Sequence, residues 1–239
     1  MTASDTNRLI IALDRPSRAE AEDLIARIGP GVSFYKVGLE LLFSDGLGLA
    51  KQLKRDGKSV FLDLKFLDIA NTVEQAVAKA SELDFDCLTV HGHDSKTMQA
   101  AVRGRDAAGT QTKLLAVTVL TSLNADDLRE QTNAKSPAEL VLHRAQLARD
   151  CGFDGVIASG KEAGEIRAHT GSDFLIVTPG IRLPTDDAGD QARITTPADA
   201  IKAGASHLVV GRPITNAEDP SKAAEKFNRA ILEQLAASG

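Results

Sequence analysis

Leu9-Ile10-Ile11-Ala12-Leu13-Asp14 is an apolar run closed by a carboxylate, and the fold is decided by how often that pattern returns. It recurs at Phe34 to Val37, Val60 to Leu64, Cys87 to Val90, Leu114 to Leu120, Val156 to Ala158, Phe174 to Val177 and Leu208 to Val210, each mainly apolar and each ending at a polar, Gly or Pro residue. Runs this short and this continuously apolar are strands buried on both faces, as in a parallel sheet. Helix start signals fall between them. Ser17 with Glu20, and Ser136 with Pro137 and Glu139, form capping boxes, while Thr196-Pro197 with Asp199 opens a helix that Gly204 closes. Spread over 239 residues, eight units give about 30 residues each, the size of a strand-helix repeat. The leading architecture is an α/β fold, a (β/α)8 TIM barrel of eight parallel strands filling residues 1–239 as one catalytic domain. A doubly wound open sheet is the alternative.

Composition narrows the partners. With 28 basic against 33 acidic residues, a net charge of −5 and no Trp, the chain lacks both the cationic field and the stacking platforms of a nucleic-acid binder. The apolar runs are too short to span a bilayer, and Met1 to Arg8 lacks the apolar stretch of a signal peptide. Cys87 and Cys151 have no paired spacing, so they read as core thiols in a reducing compartment. The expectation is a cytoplasmic protein.

In a barrel, reactive groups gather at the carboxyl ends of the strands. Those ends carry Asp14, Lys36, Asp63, Lys65, His91, Thr121, Ser159, Arg182 and Arg212, which should converge on one mouth. In Phe61-Leu62-Asp63-Leu64-Lys65-Phe66-Leu67-Asp68-Ile69-Ala70-Asn71-Thr72, strand alternation puts Asp63 and Lys65 on one face. Asp68 lies beyond the strand, and Thr72 is placed to cap the next helix. A lysine between two carboxylates is held protonated and suits a general acid aimed at a developing carbanion. The alternative is an ion pair that merely closes the barrel end. After the seventh and eighth runs come Pro179-Gly180-Ile181-Arg182, Gln191 and Gly211-Arg212, where barrels often hold a phosphate; glycine admits backbone amides and arginine offers a planar fork. Leu183 to Asp190 reads as a polar lid or else a surface loop. His91-Gly92-His93 has no third ligand at a recognisable interval, so no metal is expected. Asn124 to Glu130 and a final helix, Asn216 to Ala237, read as solvated amphipathic faces.

The order Asp14, Lys36, then Asp63-x-Lys65-x-x-Asp68-Ile69-x-Asn71-Thr72 resembles the orotidine 5′-monophosphate decarboxylase family. So do Val37 to Leu41, Ala116 to Ser122, Val177 to Arg182, Ala188 to Arg193 and Val209 to Ile214, in that order. Ala70 departs from the proline usual in that family. The resemblance implies decarboxylation of orotidine 5′-monophosphate to uridine 5′-monophosphate without a cofactor. It implies Lys65 as proton donor, Asp63 against the departing carboxylate, and Lys36 with Asp14 on the ribose. Ser159 would contact the pyrimidine, with Thr121 and Pro179 among the binding residues, and Arg182, Gln191, Gly211 and Arg212 would hold the phosphate. Asp68, Ile69 and Thr72 would reach the neighbouring subunit's site in a homodimer. The rivals are a metal-dependent sugar-phosphate decarboxylase such as 3-keto-L-gulonate 6-phosphate decarboxylase, in which a carboxylate stands at the place of Lys36, and a non-catalytic phosphate-binding barrel.

Overall fold

The computed structural model describes residues 7–131, 136–187 and 193–238. Its eight strands are β1 (Leu9–Ala12), β2 (Phe34–Gly38), β3 (Ser59–Phe66), β4 (Cys87–His91), β5 (Lys113–Val117), β6 (Gly155–Ile157), β7 (Leu175–Thr178) and β8 (His207–Val210). Each is parallel to its neighbours, and β8 pairs with β1 from Leu9↔Leu208 to Ile11↔Val210, which closes the barrel and excludes the open sheet. The helices are α1 (Arg18–Ile28), α2 (Leu39–Leu41), α3 (Leu47–Arg55), α4 (Ala70–Ser81), α5 (Ser95–Ala108), α6 (Ala125–Gln131), α7 (Pro137–Asp150), α8 (Ala163–Thr170), α9 (Pro197–Lys202), α10 (Arg212–Thr215) and α11 (Pro220–Ser238).

The unbroken apolar runs are two cores interleaved. Ile10, Ala12, Phe34, Phe61, Cys87, Leu115, Val177 and Val209 fill the barrel interior. Leu9, Ile11, Tyr35, Val37, Val60, Leu62, Leu208 and Val210 instead join the layer beneath the helices. Because side chains alternate, the inward positions continue past the apolar layer to Asp14 after Ile10 and Ala12, to Lys36 after Phe34, and to Asp63 after Phe61. These charges are the top layer of the barrel's own interior.

The capping residues act as the sequence suggests: Ser17, Ser136 and Thr196 accept the amides of Glu20, Glu139 and Asp199. Three boundaries differ. Thr72 does not cap α4, because that helix starts two residues earlier, at Ala70, from an extended Ile69. Ala70 is therefore the first helical residue, the position where proline is favoured. The run Leu114 to Leu120 leaves the ladder at Val117, and Val119 stays buried by packing in the outer core. The last helix starts at Pro220, after the separate turn of α10.

The amino-terminal end of the barrel is stitched to backbone. Asp86 accepts the Val60 amide at 2.8 Å and pairs with Lys54 at 3.1 Å. Asp154 accepts the Leu114 amide at 2.9 Å and pairs with Arg105 and Lys113. Arg167 donates to the carbonyls of Gly204 and Phe174, and Arg8 to that of Ser206.

Candidate active site

At the opposite end, charges bond to one another. Lys36 Nζ lies 3.0 Å from Asp14 Oδ1 and 3.4 Å from Asp63 Oδ2, and Lys65 Nζ lies 2.8 Å from the same Asp63 oxygen. The result is an alternating row, Asp14–Lys36–Asp63–Lys65, with Lys36 and Asp63 each only 8% exposed. Burial opposes the charge on Asp63, but Lys36 and Lys65 outweigh it and hold its carboxyl below the usual range. For Lys36 burial likewise favours the neutral amine, and Asp63 and Asp14 overcome it, so its affinity for the proton is raised. Both partners keep their charges through neutral pH.

Thr89, on β4, organises this row, and nothing in its sequence setting distinguishes it. Its hydroxyl donates to Asp63 Oδ1 and accepts the Lys65 amide, both at 2.9 Å. The amide is free to do so because β3 and β4 fall out of register between Leu62 and Phe66. Lys65 sits there at φ 50°, a left-handed conformation uncommon for a residue with a side chain. Local strain of this kind persists only where surrounding bonds over-determine it, and it clusters at reactive positions.

Two cavities meet over the row. One, of about 270 Å³, is lined by the charged groups Asp14, Lys36, Asp63 and Lys65 together with Phe61, Val117, Val119, Leu120, Thr121, Ser122, Ile157, Pro179 and Val209. The second, of about 440 Å³, shares Asp14, Lys36, Pro179 and Val209 and extends to Arg15, Glu40, Arg182, Gly211, Arg212 and Asn216. A third hollow of about 350 Å³ separates Arg182 from Arg212. One cleft thus has a half over the charged row and a cationic half, 4 residues being common to both linings.

Backbone geometry sets the cationic half. Gly180 stands at φ 74°, which only glycine adopts freely, and this turn separates Pro179 from Arg182. Arg182 is buried; its Nε donates to the Asp187 carbonyl at 2.8 Å, so part of the fork secures the loop beyond it. Arg212 is exposed at the start of α10. A Cβ at Gly211 would meet nothing closer than Ala12 Cβ at 3.7 Å, so its value here is open space on the cavity floor.

Asp14, Lys36, Asp63, Lys65, Thr121, Pro179, Arg182, Gly211 and Arg212 therefore converge as the sequence suggests. Ser159 does not line either cavity: it is fully buried and its hydroxyl accepts the Lys161 amide at 3.2 Å. Nor does Asp68 flank Lys65. It is exposed, accepts the Ile69 amide at 2.6 Å, and leaves Asp14 as the second carboxylate of the row. Ile69 and Thr72 are exposed beside it. Gln191 and the end of the expected lid, residues 188–190, lie outside the described residues. Arg15 and Asn216, which sequence reasoning missed, line the cationic half and are joined by a hydrogen bond of 3.3 Å. His91 and His93 lie with ring centroids 4.8 Å apart and planes tilted by 43°; burial first, then His93, Lys65 and Arg144, push His91 down to about 4, so it is neutral at pH 7. Among the described residues no group of three or more His, Cys, Asp or Glu is placed to hold a metal ion.

The chain is similar to known proteins over nearly its whole length. Residues 7–227 match the family described as Orotidine 5'-phosphate decarboxylase / HUMPS. The chain is 53% identical over 231 residues to the orotidine 5'-phosphate decarboxylase of Methylobacterium sp. strain 4-46, covering 96% of each chain. It is 51% identical over 233 residues to the enzyme of that name from Bradyrhizobium sp. strain ORS 278, covering 98% of this chain and 95% of that one. The crystal structure of orotidine 5'-phosphate decarboxylase from Lactobacillus acidophilus superposes with a TM-score of 0.82 at 38% identity, covering 94% of this chain and 99% of its own. The chain belongs to the orotidine 5'-phosphate decarboxylase / HUMPS family.

Proposed function

We propose that this chain decarboxylates orotidine 5′-monophosphate to uridine 5′-monophosphate as an enzyme of pyrimidine biosynthesis, acting as one catalytic barrel in the cytoplasm. The observation that carries this reading is the row Asp14–Lys36–Asp63–Lys65 beneath a cavity that opens directly into one bearing Arg182 and Arg212. A nucleotide fits that division, with the base over the row and the phosphate among the arginines. Among the described residues no helix is long and apolar enough to cross a membrane.

The reaction needs a base-bound carboxylate to leave as neutral carbon dioxide while its bonding electron pair stays on the ring carbon. Asp63, held ionised, stands against the substrate carboxylate, and that repulsion vanishes as carbon dioxide departs. Lys65 gains in the opposite direction, since its attraction grows as charge develops on carbon, and its proton then moves from Nζ to that carbon. Lys36 and Asp14 hold the ribose hydroxyls and keep the row aligned. Thr121, Pro179 and Ser159 serve the base side, Ser159 from beneath the surface. Arg182, Arg212, Gln191 and the open floor at Gly211 take the phosphate, so that remote binding energy supports the chemistry at the ring.

The active form in this reading is a homodimer with shared sites. Leu39, Phe43, Leu67, Ile69 and Leu120 are large apolar side chains left exposed, Phe43 at 88% and Ile69 at 73%. Asp68 and Thr72 stand exposed among the residues around Ile69. Such a surface is normally covered. Mixing a Lys65→Ala chain with an Asp68→Ala chain should regenerate one intact site per heterodimer; no recovery despite verified exchange would remove the shared-site assignment.

Incubating the purified chain with orotidine 5′-monophosphate and identifying the product by mass tests the function. Uridine 5′-monophosphate and carbon dioxide should form in equal amounts, and a chelator should not slow the reaction. No turnover of the nucleotide, with chelator-sensitive turnover of a sugar phosphate, would overturn the reading.

A further inference from the structure

Outside the row, the most buried ion pair near the mouth joins residues that the reaction does not use. Arg193 Nη1 lies 2.8 Å from Glu162 Oε1, with both side chains 9% exposed. The other arm of the same guanidinium, Nη2, donates to the carbonyls of Val119 at 3.0 Å and Leu120 at 3.1 Å. Those two residues, with Thr121 and Ser122, form one wall of the reacting cavity.

That wall follows Thr118, whose amide and hydroxyl bond the Ile157 carbonyl at 3.2 and 2.7 Å and whose own carbonyl accepts from Arg144. It lies beyond the end of β5 and before α6, so its carbonyls have no ladder partners; a turn bond from the Leu123 amide to Leu120 at 3.0 Å is local. Glu162, by contrast, is fixed. Its amide bonds the Ser159 carbonyl at 3.1 Å, and its own carbonyl accepts the Ile166 amide at 3.0 Å as α8 begins. Arg193 is anchored from the other side as well. Two residues on, Thr195 bridges Ile181, with the Arg182 amide on the Thr195 carbonyl at 3.0 Å and the Thr195 amide on the Gly180 carbonyl at 3.2 Å. One guanidinium therefore ties the segment carrying Arg182 to the wall of the reacting half.

Stability alone does not account for the pair. Glu162 Oε2 and Arg193 Nε are buried without a hydrogen-bond partner among the described residues. A buried pair with orphaned atoms is commonly matched or bettered by apolar residues of similar size. We infer that Arg193 is a positioning residue, held by Glu162, whose fork on the Val119 and Leu120 carbonyls sets the wall of the reacting cavity relative to the phosphate-side loop. This rests on the reading that the cavity receives the base to be decarboxylated.

Replacing both partners, Glu162→Met with Arg193→Met, separates positioning from stability. The double variant should unfold near the wild-type temperature while kcat falls on the order of tenfold to a hundredfold, with a much smaller change in KM. Glu162→Gln leaves the two donations to carbonyls in place and should keep most of the wild-type kcat. Arg193→Lys retains the charge but not the fork; it should lose kcat as the double variant does, and it carries the test if the double variant fails to fold. Wild-type kcat in a folded double variant or in Arg193→Lys would overturn the inference, as would an equal loss in Glu162→Gln. Amide exchange at Val119 to Ser122, faster in Arg193→Lys than in wild type, reads the same wall without activity. If the wild-type chain turns over no orotidine 5′-monophosphate, the functional reading fails, and unchanged exchange would then separately contradict the positioning role.

Discussion

The two ends of the barrel use the same residue types to opposite purposes. At the amino-terminal end, Asp86, Asp154, Arg167 and Arg8 each reach a backbone amide or carbonyl as well as any charged partner. Their charges are spent inside the structure, completing strands and turns. At the carboxyl end, Asp14, Lys36, Asp63 and Lys65 bind one another and face open volume, and Lys65 even carries a left-handed backbone. At the amino-terminal end the ionic groups that close on backbone stabilise the fold, whereas those of the row, closing on each other beneath a cavity, are preorganised for charge that arrives with a substrate.

The largest break in that comparison is Lys65→Ala. Removing the proton donor should lower turnover by at least about 10⁴-fold, and uridine 5′-monophosphate binding, measured calorimetrically, should remain detectable. Arg212→Ala should reduce kcat/KM by roughly 10- to 100-fold, mainly through KM, since a charge-assisted bond to phosphate is lost. Initial rates across substrate concentration check this. At the other end, Arg167→Ala removes several donors to carbonyls and should cost about 3 kcal/mol, lowering Tm by roughly 6 to 12 °C while kcat below the transition is nearly unchanged.

The smallest effect concerns pH. His207 opens β8 with its ring edge-on to Phe34 at 5.8 Å, and burial, aided by Arg8, pushes its pKa from 6.5 to about 4. A histidine held neutral in the fold binds more protons when unfolded, so its contribution is intact above 6.5 and declines as pH falls toward 4. Between pH 7 and pH 5 this should remove about 2 kcal/mol, and denaturant titrations of His207→Leu should show a shallower fall over that window. The row sharpens the contrast. Asp63, with its pKa lowered, loses its contribution only in stronger acid, and Lys36, with its pKa raised, only in strong base.

Asp63 and Lys65 were legible because charged residues two apart in an apolar strand have no reason to be there in a core, and alternation then fixes their shared face. Gly180 and Arg182 were legible from their place after the seventh strand. Thr89 was not: threonine is an ordinary strand former, and its role depends on a register shift between two strands distant in sequence. The place of Ser159 outside both cavity linings was not legible, because it depends on a turn in which its hydroxyl accepts the Lys161 amide. The Glu162–Arg193 pair needs the loops after β6 and β7 to meet, which no local pattern encodes. Thr72 looked like a cap by residue type, yet the helix starts from Ile69 with no side-chain cap at all. Elements followed from pattern; loop encounters did not.

The claim that the two ends divide chemistry from stability is tested most directly by crossing two variants in one measurement, initial rate of orotidylate loss against Tm, for Lys65→Ala and Arg167→Ala on matched preparations. Lys65→Ala should lose turnover at near wild-type Tm, and Arg167→Ala should lose Tm at near wild-type turnover. If both variants lose rate and stability together, or if Lys65→Ala keeps substantial turnover, the division is wrong.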